Sequence, residues 1–404
     1  MSIKCVQSKK CTGCYVCSDS CPFGAISMMK NTEGFFMPAV DEVKCVDCHI
    51  CEKKCPALTE NGGTLGKFIE NGTVNAYVIK CNDDKTRFNS SSGGVFPVIA
   101  EKFISEGGIV CGAAFDEKWH VHHIFINSVE EIRNLQSSKY VQSDMLGIYS
   151  QVGELLKEGK KVMFTGTPCQ TAALSNYLSG FDKDRLLLVD LFCHGVSSPG
   201  LFELYLKEII NTDKIESINF RYKGDSWERY RMRINYDDKV YSKPYTDDPF
   251  LLPFCRSVSL RESCYSCKSK GFPRHSDLTL GDFWMIDRIM PKENDHKGMS
   301  LVLVNTENGK TWINKLTDMT SVKNLPTNAL RQYYMNSGKP VIRPASRDVF
   351  FERLKTEKLC NVYKQVSKRP IKQRVITAIR NFATHLGVYG ILKWLKEVFV
   401  NGEK

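Results

Sequence analysis

Lys161-Val-Met-Phe-Thr-Gly-Thr-Pro-Cys169-Gln170 is followed by Arg185-Leu-Leu-Leu-Val-Asp-Leu-Phe-Cys193-His-Gly195-Val-Ser-Ser198-Pro199, and the two stretches repeat one device. Each opens with a short apolar run bounded by turn residues, the signature of a fully buried strand. Each then reaches a cysteine and a Thr-Pro or Ser-Pro pair. Thr167 and Ser198 suit a helix N-cap, and Pro168 and Pro199 suit the first helical position. Cys169 then falls in the first helical turn, where unpaired backbone N–H groups favour a thiolate or an anion. Two such units predict an α/β core with a largely parallel sheet. Crevices outside the carboxyl ends of parallel strands are where such sheets bind ligands.

Upstream, Ala76–Lys80 and Gly108–Phe115 read as further strands, with helices over Val95–Ser105 and around Met145–Glu158. Ser90-Ser-Ser-Gly-Gly94 is a loop before a helix, which suits a phosphate cradle or plain turn and cap chemistry. No G-x-G-x-x-G follows a strand, so a dinucleotide fingerprint is not supported. Downstream of residue 215 the pattern turns antiparallel. Tyr230–Tyr236 and Lys239–Tyr245 alternate across Asp237-Asp238 as a hairpin. Arg221, Lys223, Arg231 and Arg233 read as a solvated strand face, with an anionic substrate as the alternative. Cys255-x8-Cys264-Tyr-Ser-Cys267 gathers three thiols. A fourth ligand must come from elsewhere, with Cys193 and Cys169 as candidates and a zinc knuckle as the bland alternative. Leu280-Gly-Asp-Phe-Trp284 closes a strand.

Ahead of this body stand Cys11-x2-Cys14-x2-Cys17-x3-Cys21-Pro22 and Cys45-x2-Cys48-x2-Cys51-x3-Cys55-Pro56. Three thiolates two residues apart wrap one cubane, and the fourth points away to another. This is the run bacterial-type ferredoxins use for two [4Fe–4S] clusters. On that logic Cys11, Cys14, Cys17 and Cys55 hold one cluster, and Cys45, Cys48, Cys51 and Cys21 the other. Zinc is the competing ion, but these spacings fit its usual sites poorly. Cys5 lies outside both runs.

The chain has 404 residues, enough for two or three domains at roughly 100–200 each. Hydrophobic residues at 42% and charged residues at 25% exclude disorder and fibrous repeats. The 17 cysteines, concentrated in motifs, do not describe a secreted disulfide framework. With no apolar segment after Lys4, Lys9 and Lys10 and no long apolar run, the expectation is a cytoplasmic protein. About half of the net charge of +11 lies in residues 368–404, and no nucleic-acid groove is expected. There Ile371, Val375, Ile379, Phe382 and Leu386 recur at helical spacing among Lys372, Arg374 and Arg380. Such a tail docks on the body or lies peripherally on an anionic membrane.

The fold class expected is therefore α+β with α/β. A small ferredoxin-like two-cluster module (1–60) and a linker (61–74) precede an α/β body (75–210). An antiparallel, cysteine-bearing portion (211–345) and a basic amphipathic helical tail (346–404) complete the chain.

Taken in order, Ser91-Ser-Gly-Gly-Val95, Ser138-Lys-Tyr-Val-Gln-Ser143, Phe164-Thr-Gly-Thr-Pro-Cys-Gln170, Cys193-His-Gly195, the Cys255/Cys264/Cys267 set and Leu280-Gly-Asp-Phe-Trp284 resemble the family of coenzyme F420 hydrogenase/dehydrogenase beta subunits. The resemblance spans roughly residues 75–310. It implies an iron–sulfur flavoprotein oxidoreductase, with FAD ahead of FMN, in which the flavin exchanges a hydride with coenzyme F420 or another small molecule and passes electrons to clusters. Carried over by motif, Cys193, Cys255, Cys264 and Cys267 hold a third [4Fe–4S] cluster. Ser91, Ser92, Gly93, Gly94, Lys139, Tyr140, Gln142 and Thr167 line the flavin site. Cys169 is the alternative fourth ligand or a catalytic residue against the flavin, with Lys139 beside it. The alternative function is an electron-transfer subunit that feeds a redox protein partner, as in surface-polysaccharide pathways, with no substrate of its own.

Overall fold

The computed structural model describes residues 9–59, 65, 75–224, 226–334 and 337–366. Of the expected linker only Leu65 is among these residues, and of the expected tail only 346–366, as helices Ser346–Leu354 and Leu359–Val366; its basic part, 368–404, and Cys5 lie outside the described residues. In the front module a hairpin of β1 (Ile26–Lys30) and β2 (Phe36–Val40) packs beside short helices Val16–Asp19 and Ile50–Lys54.

The body is built on one eight-stranded sheet. Its strands are β3 (Asn75–Cys81), β4 (Ile109–Phe115), β5 (Val121–Ile126), β6 (Val162–Thr165), β7 (Leu186–Leu191), β11 (Leu278–Asp282), β12 (Ser300–Val304) and β13 (Thr320–Asn324), in the order β13-β3-β12-β11-β7-β6-β4-β5. Strands β8 (Ile215–Tyr222), β9 (Arg231–Tyr236) and β10 (Lys239–Pro244) form a separate antiparallel sheet. Asp237 and Asp238, both at positive φ, turn the β9–β10 hairpin where the alternation placed it.

The large sheet corrects the expectation of a largely parallel one. Only β4, β6, β7 and β11 run parallel, and β5, β12, β3 and β13 pair antiparallel at the two sides. β5 returns beside β4 after a short turn, as antiparallel pairing permits, whereas β12 and β13 reach β3 from far along the chain. β11, β12 and β13 come from the region after residue 215, so the second half of the chain completes the sheet begun by the first.

Helices cover both faces. Val95–Ser105 and Glu307–Asn314 lie over one core, where Phe103 and Trp312 meet. Ile148–Lys157 and Pro168–Tyr177 lie over the other, into which Cys14, Tyr15 and Val16 of the front module insert. Asp19 accepts from the N–H groups of Gly147 (2.8 Å) and Tyr149 (2.9 Å), at the positive end of the first of these helices. Lys54 donates to the carbonyls of Asn176 (2.8 Å) and Tyr177 (3.2 Å), at the negative end of the second. Charge on two helix ends thus fixes the module against the sheet. Among the described residues, no helix is long and apolar enough to cross a membrane.

Candidate functional site

The front module gathers its thiols in two groups. Burial pushes the Cys17 thiol well up, and the neighbouring Cys14, Cys11, Cys55 and Cys51 add to it. Burial raises Cys14 to about 11 and Cys55 to about 12, each also feeling Cys11. Cys21, Cys45, Cys48 and Cys51 stand round a separate hollow of about 20 Å³. Among the described residues no three His, Cys, Asp or Glu side chains converge as a single ion requires.

In the body, Cys169 begins the helix after β6, and Cys193 follows the end of β7. Because β6 and β7 are parallel neighbours, both thiols emerge at the same edge of the sheet. The turn Glu262–Ser266 carries Cys264, with Cys267 directly after it. Burial raises Cys169 well above the usual thiol range, with further pressure from Cys267, Cys193 and Cys14. Cys264 is pushed up to about 12 by burial, then by Cys193, while Lys270 opposes. Cys169, Cys193, Cys264 and Cys267 are therefore one neighbourhood, and Cys14 places the first front group beside it.

Cys255 stands in a different setting. Its sulfur faces the Tyr230 hydroxyl at 3.3 Å, and the charges it feels are Arg221 and Asp248. Of the four thiols carried over by motif, the structure brings Cys193, Cys264 and Cys267 together with Cys169, while Cys255 ends the helix Leu251–Cys255 and packs against the cluster of Phe254, Leu260 and Cys264.

One cavity of about 650 Å³ opens at the carboxyl edge of β6, β7 and β11. Its wall includes Ser91, Ser92, Gly94, Lys139, Tyr140, Gln142 and Thr167, together with Cys14, Cys169, Cys193 and Cys255. Gly93 is not part of it: a Cβ there would stand 2.4 Å from the Ile79 carbonyl, and its N–H donates to Ser300 Oγ at 2.9 Å. That glycine serves close packing on β3 and β12 rather than an anion cradle. Thr167 caps its helix through a box with Gln170, and its hydroxyl lies 3.2 Å from Cys169 Sγ.

Lys139 is the least settled group in the wall. Its Nζ reaches the carbonyls of Leu135, Gln136 and Ser137 at 3.3–3.4 Å, and desolvation holds its ammonium down at about 7. Tyr140 stacks on Phe254 with ring centroids 4.4 Å apart and accepts from Arg221 Nη1 at 3.0 Å.

The reading of Arg221 and Lys223 as a solvated face is corrected. Both are buried at 3% and 5% exposure, because β8 turns that end of the strand inward beneath the Ser loop. Arg221 pairs with Asp282 at 2.9 and 3.2 Å, donates to the Ser91 carbonyl, and lies over the Tyr230 ring at 4.1 Å. Its Nε has no hydrogen-bond partner among the described residues. Lys223 Nζ donates to the carbonyls of Arg87, Ser92 and Lys297 at 2.6–2.9 Å, clamping the Ser loop. His123 also escaped the sequence reading. Burial lowers it to about 4, and its ring nitrogens meet Ser143 Oγ (2.7 Å) and the Thr165 carbonyl (3.0 Å). It lies on β5, a strand with no alternation strong enough to reveal it.

Comparison with known proteins adds the family. Residues 159–328 match the family described as the carboxy-terminal part of the beta subunit of coenzyme F420 hydrogenase/dehydrogenase. Residues 10–58 match a 4Fe-4S dicluster domain. One of the subunits of the F(420)H(2) dehydrogenase of Methanosarcina mazei is 20% identical over 328 residues, covering 80% of this chain and 86% of that protein. A solved F420-reducing [NiFe] hydrogenase complex from Methanosarcina barkeri, studied by xenon derivatization, aligns at 17% identity and a TM-score of 0.44, over 73% of this chain and 92% of that one. A 4Fe-4S dicluster domain thus stands ahead of a region that matches the carboxy-terminal part of coenzyme F420 hydrogenase/dehydrogenase beta subunits.

Proposed function

We propose that the chain is a flavin-dependent iron–sulfur oxidoreductase subunit with three [4Fe–4S] clusters and one flavin, FAD ahead of FMN. The observation that carries this reading is a cavity whose wall combines thiols from the front and body groups with seven of the eight sequence-predicted flavin residues. In this reading Cys11, Cys14, Cys17 and Cys55 hold the inner front cluster, and Cys21, Cys45, Cys48 and Cys51 the outer one. Cys169, Cys193, Cys264 and Cys267 hold the third. A bound flavin supplies two-electron hydride chemistry with coenzyme F420 or another small molecule, and clusters carry electrons singly.

The cavity's size supports the flavin, falling within the roughly 300–1,000 Å³ usual for such sites. So do its polar groups. Lys139 offers a desolvated cation to an anionic part of the ligand, and the unpartnered Nε of Arg221 offers a donor. The Tyr140–Phe254 stack gives a planar apolar surface, and His123, held neutral, adds no charge. The name of the Methanosarcina mazei relative supports coenzyme F420 as the hydride partner and further redox subunits as protein partners.

The test is anaerobic purification followed by iron, zinc and flavin quantitation with a visible spectrum. About twelve irons, four for each of three clusters, and one flavin are expected. About eight irons without flavin would remove the body from the redox reading, and zinc in place of iron would overturn all of it. The second reading, an electron-transfer subunit without its own substrate, is favoured by that relative being one part of a larger dehydrogenase. It predicts flavin that no hydride donor reduces in the isolated chain.

A further inference from the structure

Arg261 belongs to the loop that carries Cys264, and the Cys264 N–H donates to its carbonyl at 2.9 Å. Its side chain, only 2% exposed, leaves that loop and enters the front module. There Nε donates to the Cys11 carbonyl at 2.7 Å, and Nη2 lies 3.5 Å from Cys11 Sγ. Nη2 also reaches the Phe36 carbonyl (3.0 Å) and Met37 Sδ (2.7 Å), and Nη1 reaches Gln142 Oε1 (3.1 Å). None of these acceptors is a carboxylate, so the guanidinium charge is not cancelled by its own contacts.

The loop is shaped to receive it. Gly13, between Cys11 and Cys14, has φ +67°, and a Cβ there would stand 2.7 Å from Arg261 Nη1 and 2.3 Å from Gln142 Nε2. Gln142 in turn donates to the Gly13 carbonyl at 3.1 Å. A planar fork that satisfies several acceptors on separate segments is what arginine supplies and lysine does not.

We propose that Arg261 raises the reduction potential of the inner front cluster, making it the preferred resting place for an electron beside the body. The proposal rests on the cluster assignment made above. One-electron reduction adds one negative charge to a cluster and makes or breaks no bond. A buried cation and N–H donors at a ligand sulfur stabilise that added charge, and hydrogen bonds to the sulfurs are an established lever on cluster potential. The residue that tunes the inner cluster stands three positions before a thiol of the third. Any movement of the Cys264 loop therefore also moves the cation at Cys11.

The experiment is a redox titration of the full anaerobic protein, followed by electron paramagnetic resonance, for wild type, Arg261→Lys and Arg261→Gln. In Arg261→Gln, with iron retained, the signal that Cys17→Ser abolishes should titrate lower by at least a tenfold change in its equilibrium, about 59 mV for one electron. Arg261→Lys should fall between, and the other two clusters should not move. Unchanged potentials in a variant that keeps all its iron overturn the proposal and leave the cluster assignment standing. Wild-type protein without cluster signals overturns both. If Arg261→Gln loses iron, wild-type protein carrying 15N-arginine decides. An arginine nitrogen coupling on the inner-cluster signal is expected, and its absence overturns the proposal.

Discussion

Tyr230 directs its hydroxyl at Cys255, 3.3 Å from the sulfur, and the charges that cysteine feels are those of Arg221 and Asp248 rather than of Cys193, Cys264 or Cys267. Cys169 occupies the place in their company. Replacing Cys169 or Cys264 by Ser should remove about a third of the iron, four atoms of about twelve. Cys255→Ser should remove none, and its effect should fall instead on turnover with a small-molecule substrate. Iron content of the three purified variants decides the matter. Loss from Cys255→Ser with retention in Cys169→Ser would restore the motif-based assignment.

Lys139 gives the cavity a pH dependence whose sign follows from its environment. Desolvation lowers it to about 7 in the free protein, and a bound anion would raise it again. Below pH 7 the ammonium is already charged, so affinity for an anionic ligand should be flat. Above pH 7 a proton must be taken up on binding, and affinity should fall by up to about tenfold per unit until the bound-state value is reached. Titrating flavin-depleted protein with FAD between pH 6 and 9 measures this. Lys139→Met should bind more weakly throughout and show no slope across that window.

How much of this could be read from the chain alone depended on how local the signal was. The cysteine runs, the Thr167-Pro168 and Ser198-Pro199 helix starts and the Asp237-Asp238 turn are properties of a few adjacent residues, and the structure reproduces the elements they announce. Three of the four antiparallel additions to the large sheet escaped. Val121–Ile126 and Thr320–Asn324 are sheet-edge strands whose burial alternates weakly, and Ser300–Val304 is a short run buried throughout, with no alternation to mark it. Arg221 escaped for a different reason. An arginine in an exposed-looking strand becomes a buried cavity residue only because Asp282, distant in sequence, lies opposite. Arg261 likewise has no signature of its own, since its partners Cys11, Phe36 and Gln142 come from three separate segments.

The docking of the front module rests in part on one buried hydrogen bond. Tyr149, fully buried in the helix that Asp19 caps, donates its hydroxyl to the Cys14 carbonyl at 2.6 Å. Tyr149→Phe keeps the ring packing and leaves that carbonyl without its donor. The expected cost is about 1–3 kcal/mol of local stability. It should be read as faster loss of one cluster's absorbance under mild denaturant, with total iron at purification unchanged. Equal bleaching rates in variant and wild type would mean that the helix does not support the Cys11–Cys17 loop.

Gly13→Ala tests the same loop from the other side. At φ +67° an alanine is already strained, by roughly 1–2 kcal/mol. Its methyl would also meet Gln142 Nε2 and the Arg261 guanidinium. Those side chains can move aside only by giving up the bonds through which Gln142 bridges Gly13 and Phe36 and Arg261 bridges Cys11 and Phe36. The clash should therefore displace the arginine from Cys11 before it unfolds the module. The outer cluster, whose thiols line a separate hollow, should keep its iron and its potential. The inner cluster should titrate lower, in the same direction as Arg261→Gln. Adding Arg261→Gln to Gly13→Ala should then produce little further shift, since both changes remove one interaction and their effects on it cannot add. A full second shift in the double variant would show that the glycine and the arginine act on the cluster independently.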